Sequence, residues 1–174
     1  MLMLDRRRFL QRTCAASAAL SVWQLLRAQE TAQKPAPPPA LSAELVREFV
    51  KVGHGELVPV QQMLAEHPTL LNAAWDWGGG DFEMAIEGAG HVGSVEVAEY
   101  LLAQGARANI FVLTMLGRTA AVKTLLAANP AWLRAKGAHG FTLLHHAQRG
   151  GEPARELLEQ LTAMGLKETR IPLF

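Results

Sequence analysis

The stretch Gly93 to Asn109, reading GSVEVAEYLLAQGARAN, restricts most narrowly what this chain can fold into. It holds a turn glycine and an apolar stripe at helical spacing, Val97, Ala98, Leu101 and Leu102. Gly105 can then end the helix in the left-handed conformation. Ser94 is placed to cap that helix, and Glu96 lies near its positive end. Variants of the unit recur. Counted from Leu101, a glycine lies eight residues back and a small apolar residue three back, with Leu102 and Ala103 following. The same offsets hold around Leu125 (Gly117, Val122, Leu126, Ala127) and around Met63 (Gly55, Val60, Leu64, Ala65). A looser copy surrounds Leu157, with Gly150, Ala154 and Leu158. Such a unit cannot bury its apolar face alone and gains a core by stacking on its neighbours. The expected fold class is therefore all-α, a helical repeat solenoid of about four irregular repeats joined by short turns and finger loops.

Two segments carry a resemblance to a known family. Gly140, Phe141, Thr142, Leu143, Leu144, His145, His146 and Ala147 match the pattern G-x-T-P-L-H-x-A, with Leu143 in the proline position. Gly93, Glu96, Val97, Leu101, Leu102, Gly105, Ala106 and Asn109 match G-x-x-E-V…L-L…G-A…N. In these motifs the chain resembles the ankyrin repeat family, over roughly residues 42–165. The repeats implied are 42–74, 75–109, 110–138 and 139–165, followed by a tail, 166–174, that can cap the last one. Spacing is irregular. The anchors Met63, Leu101, Leu125 and Leu157 lie 38, 24 and 32 residues apart, against ~33 in the family. The first interval thus holds extra residues, and the second lacks most of a finger.

The chain has 174 residues and 49% hydrophobic content, enough for one domain with a core of its own. Its first 28 residues contain five arginines and one acid; Arg6, Arg7, Phe9 and Leu10 resemble the twin-arginine export motif, and Thr13 to Leu26 form a short apolar run. Ala28 suits the position before a cleavage, while Leu26 is large for the position two earlier, so an uncleaved anchor is a second reading. The expected location is the periplasm or another exported site. Without residues 1–28 the totals of 17 Lys+Arg and 16 Asp+Glu become 12 and 15, a net −3, with no basic cluster of the kind nucleic acid requires. Residues 29–40 carry Pro35, Pro37, Pro38 and Pro39 and read as an extended linker. The folded domain is expected over 41–174, with Ser42 capping the first helix and Pro59 tolerable only in the first turn of the second. Cys14, the sole cysteine, falls in the export segment, which excludes thiol chemistry and cysteine-bound zinc in the rest.

Function is sought in the expansion of the first interval, Trp75, Asp76, Trp77, Gly78, Gly79, Gly80, Asp81, Phe82 and Glu83. The resemblance makes this a projecting hairpin finger beside a concave binding face. Two tryptophans and three acids offer stacking surface and charge; packing of Trp75 and Trp77 onto the flanking helices is the competing reading. His91 and His139 complete the candidate binding set. Gly88 and Gly90 weaken the helix between them and make sense if it is clamped by neighbours.

No phosphate loop, dinucleotide fingerprint, HExxH or nucleophile elbow is present, so no catalytic residue is assigned. His91, His139, His145 and His146, with Asp76, Asp81 and Glu83, form the one polar constellation capable of holding a metal. The resemblance gives His145 a backbone-bonding role between repeats and places His91 at the structural end of an inner helix; His54 and His67 are expected at turns, outside any cluster. The resulting expectation is a non-enzymatic, monomeric module without metal or cofactor, exported to hold a protein partner. The alternative is a metal-dependent enzyme or small-ligand binder built on the histidines and acids.

Overall fold

The computed structural model describes residues 38–174; the twin-arginine-like segment and most of the proline-rich stretch lie outside the described residues. The fold is all-α with one small hairpin. The helices are α1 (Ala43–Val52), α2 (Leu57–Glu66), α3 (Ala85–Val92), α4 (Val95–Ala103), α5 (Ile110–Met115), α6 (Thr119–Ala128), α7 (Leu143–Arg149) and α8 (Arg155–Ala163). Strands β1 (Ala74–Asp76) and β2 (Phe82–Met84) pair antiparallel between α2 and α3, with Trp75 opposite Glu83. Among the described residues no helix is long and apolar enough to cross a membrane.

The local chemistry follows the expected periodicity. Ser42 Oγ accepts the Leu45 N–H at 3.2 Å, and Asn109 Oδ1 caps α5 through the Phe111 and Val112 amides. Gly93 and Gly105 adopt the left-handed conformation that ends α3 and α4. Ser94 precedes α4 but its side chain makes no capping bond, so that expectation fails; its backbone (φ −79°, ψ 83°) departs from the extended conformation usual for a capping residue.

Each helix packs on its sequence partner, α1 on α2, α3 on α4, α5 on α6 and α7 on α8. The odd-numbered helices also pack in succession, α1 against α3, α3 against α5, and α5 against α7. Burial follows the stripe: Val97, Ala98 and Leu101 are fully buried and Leu102 lies at the margin. One core gathers Phe49, Leu70, Ile86, Leu101 and Met115, and a second gathers Ile110, Phe111, Leu143, Leu157 and Leu161. Full burial of a leucine such as Leu101 contributes about 1.5–3 kcal/mol, so the stripes suffice to hold the pairs together.

One contact exceeds simple succession. Helix α3 touches α7 as well as α1 and α5. The intervening α5 spans six residues and is entered from a short turn with no strand pair before it. The loop ahead of α7 reaches back to the hairpin, where the His139 N–H donates to Asp81 Oδ1 at 2.9 Å. The glycines of α3 permit the crowding: a Cβ on Gly88 would meet the His54 ring at 2.8 Å, and one on Gly90 would meet Val112 at 3.2 Å.

Candidate metal centre

Four side chains from four places converge beside the hairpin. His54 follows α1, Glu83 is the middle residue of β2, His91 is near the end of α3, and His139 lies in the loop before α7. Their nearest ligand atoms all lie within 4.8 Å of one another. His91 Nε2 is 2.8 Å from Glu83 Oε1 and 3.1 Å from His54 Nε2. Glu83 Oε2 lies 3.5 Å from His54 Nε2 and 3.4 Å from His139 Nε2.

Each donor is aimed by a local device. Strand alternation leaves Phe82 exposed and turns Glu83 fully inward, which buries a carboxylate where an apolar residue is the ordinary occupant. His54 Nδ1–H donates to the Val50 carbonyl at 3.0 Å, which turns Nε2 toward the cluster. His139 Nδ1–H donates to Asp81 Oδ2 at 2.7 Å, with the same consequence. Phe141 stacks on His91, with centroids 5.1 Å apart, and fixes the plane of that ring. Trp77 Nε1–H donates to Glu83 Oε2 at 2.7 Å.

Counting protons exposes the anomaly. Three imidazole nitrogens face one buried carboxylate, whose only directed donor is the Trp77 Nε1–H on Oε2. Glu83 Oε1 lies 2.8 Å from His91 Nε2 without the alignment of a directed hydrogen bond. Burial by itself raises the Glu83 carboxyl pKa, but the close imidazoles of His91 and His54 and the Trp77 N–H together bring it below its ordinary value. A positive charge, on an imidazole or on a bound cation, would compensate this buried carboxylate. Tetrahedral ligands about 2.0–2.2 Å from an ion stand roughly 3.3–3.6 Å apart, a spacing met by Glu83 Oε2 with His54 and His139, whereas the His91 contacts at 2.8 and 3.1 Å are tighter.

The remaining candidates separate into supports and bystanders. Asp81 holds His139 by side chain and by its backbone N–H, at 2.7 and 2.9 Å, the carboxylate–histidine arrangement that orients metal ligands. Asp76 instead accepts the Gly78 and Gly80 amides and shapes the turn. Trp75 is half-buried and pairs with Glu83 along the backbone, while Phe82 is exposed. Trp77 is 37% exposed, with its indole N–H held by Glu83.

Two corrections concern histidines. His54, expected outside any cluster, is a member; its ring folds back over the end of α1 into the space Gly88 leaves open. His91, expected to be structural, presents its ring to the cluster while its carbonyl accepts the His145 Nε2–H at 2.8 Å. His145 thus bonds backbone as expected, and His146 Nδ1–H donates to the Thr142 carbonyl, so neither joins the site. The turn motif packs: Leu143, Leu144 and Ala147 are buried, and a Cβ on Gly140 would strike the Ile171 carbonyl oxygen at 2.0 Å. His67 sits at a turn, between α2 and a 3-10 turn.

Neither a family model, nor a curated protein, nor a solved structure matches this chain.

Proposed function

We propose that this chain is a metal-binding protein on an ankyrin-like array of helix pairs. His54, His91 and His139 would bind one divalent transition-metal ion through Nε2, and Glu83 through its carboxylate. The observation that carries this reading is the convergence of three imidazoles on one fully buried carboxylate, His54 and His139 at its Oε2 and His91 at its Oε1, the oxygen without a hydrogen-bond partner. Imidazole and carboxylate without thiolate favour ions of zinc type, with cobalt(II) as a spectroscopic substitute. The ankyrin-like array is supported by the four helix pairs, the succession of odd-numbered helices and the hairpin between the first two pairs.

The site has a dry floor and a wet rim. Glu83 is fully buried, whereas the His54 and His139 side chains are 28% and 23% exposed, so an ion there meets solvent from the rim. Four protein donors would close a tetrahedral ion, and the open rim would admit water only as an added fifth ligand, from which metal-assisted hydrolysis would proceed. This favours the metal-dependent alternative over the protein-partner module, whose recognition residue Trp77 is instead committed to Glu83. The partner reading retains one specific support, the exposed apolar pair Phe82 and Phe174. Export through a twin-arginine-like signal rests on the sequence of residues 1–28 alone.

The test is elemental analysis and zinc titration of the purified protein. About one ion per chain is expected in the parent, and none in the His91→Ala, His139→Ala double variant. Substoichiometric zinc in the parent, or unchanged binding in the variant, sinks the reading.

A further inference from the structure

The metal reading gives meaning to the segment that follows α8. We infer that Arg170 is a positioning residue of the metal centre, within a strap (residues 168–174) that holds His139 on the ion; this rests on the metal reading.

His139 is the one non-glycine residue with positive φ among the described residues, at +57°. A side-chain-bearing residue persists there only when its surroundings impose the conformation. The strap supplies much of that constraint. Arg170 Nε donates to the His139 carbonyl at 2.8 Å, and the Ile171 N–H donates to the Gly140 carbonyl at 2.9 Å. Thr142 is tied twice, its N–H to the Thr169 carbonyl at 3.0 Å and its hydroxyl to the Glu168 carbonyl at 2.7 Å. Asp81 holds the His139 N–H from the opposite side. The Arg170 guanidinium also lies 5.4 Å from the centroid of Phe141, the ring stacked on His91.

The far end of the strap grips the hairpin. Lys136 Nζ donates to the Pro172 carbonyl at 2.8 Å, and the Phe174 ring lies so close to Gly79 that a Cβ there would be 2.6 Å from its edge. One short segment therefore joins the loop that carries His139 to the hairpin that carries Glu83 and Asp81. His54 and His91 owe their places to α1 and α3 instead. Loosening the strap should leave three donors in place and free the fourth. A site reduced in this way binds more weakly and takes solvent in the vacated position.

The experiment uses the full chain and cobalt(II), comparing the parent with Arg170→Ala, Arg170→Lys and Phe174→Ala. Arg170→Ala should weaken cobalt binding about 10–100-fold, the usual effect of losing an outer-shell partner, and change the visible absorption as water replaces an imidazole. Arg170→Lys, which can still donate to the His139 carbonyl, should recover most of the affinity and the parent spectrum. The metal-free melting temperatures of parent and Arg170→Ala should agree within about 2 °C, as for an exposed substitution. Unchanged affinity and spectrum in Arg170→Ala overturn the strap alone, and so does an equal fall in melting temperature with and without metal. Failure of the parent to bind cobalt removes the metal reading and the strap together. If Arg170→Ala does not fold, Phe174→Ala decides: lost affinity upholds the strap and unchanged affinity overturns it.

Discussion

His145 and His146 lie beside the candidate metal centre, yet they are chemically its opposite. Each donates one ring nitrogen to a backbone carbonyl, to that of His91 or of Thr142. Aromatic rings cover them: Phe141 stacks on His145 at 4.0 Å, and Phe111 lies 5.2 Å from His146. Burial pushes both imidazoles toward the neutral form, His146 to a pKa of about 4. In the cluster, His54 and His139 also spend one nitrogen on a fixed acceptor, but the other faces Glu83. A carboxylate facing the free nitrogen is what distinguishes these histidines from the packed pair and makes them candidate ligands. Glu83 thus separates the two groups more than burial does.

Three measurements break or sharpen this contrast. The largest effect is expected for Glu83→Ala, which removes a direct ligand and should lower zinc affinity by more than the roughly 100-fold typical of an outer-shell partner. His146→Phe should leave that affinity unchanged. Equal losses in competition titrations of the two variants would erase the distinction.

The next effect is on acid stability. His146 has a folded pKa depressed to about 4 from 6.5, so the unfolded chain binds more protons between those values. The stability of the metal-free protein is then intact above the unfolded pKa and falls as pH drops through that window, by about 3 kcal/mol in total from this residue. Urea unfolding at stepped pH should show the slope in the parent and its loss in His146→Phe; an unaltered slope assigns the protons elsewhere.

The smallest effect is that of metal removal. Zinc held free at ten times its Kd stabilises the folded chain by about 1.4 kcal/mol, and chelation should lower the melting temperature by roughly 5 °C. No shift on chelation would mean that the ion does not favour the folded form.

Much of this architecture is legible along the chain. Stripes such as Val97, Ala98 and Leu101, the left-handed Gly93 and Gly105, and the Ser42 and Asn109 caps are local signals that act over one or two turns. The expansion at Trp75–Glu83 marks the hairpin and, with His91 and His139, contains three of the four converging donors. His54 escapes such a reading because nothing near it announces a ligand. Its clue is indirect: a histidine just past a helix end can lock its own Nδ1 on that helix's carbonyls, and Gly88 leaves room for its ring. Glu83 carries a plainer signal, an acid at an inward position of a short strand.

The sequence alone determined the helices, their amphipathic faces and their turns, because those depend on residue spacing and on backbone conformations that each segment expresses locally. Which histidines face a carboxylate was decided only by tertiary structure. That outcome accompanies the contact of α3 with α7 and the bonds of Asp81 and Arg170 to His139. The direction of a lone pair is set by packing among distant segments, and no spacing along the chain encodes it.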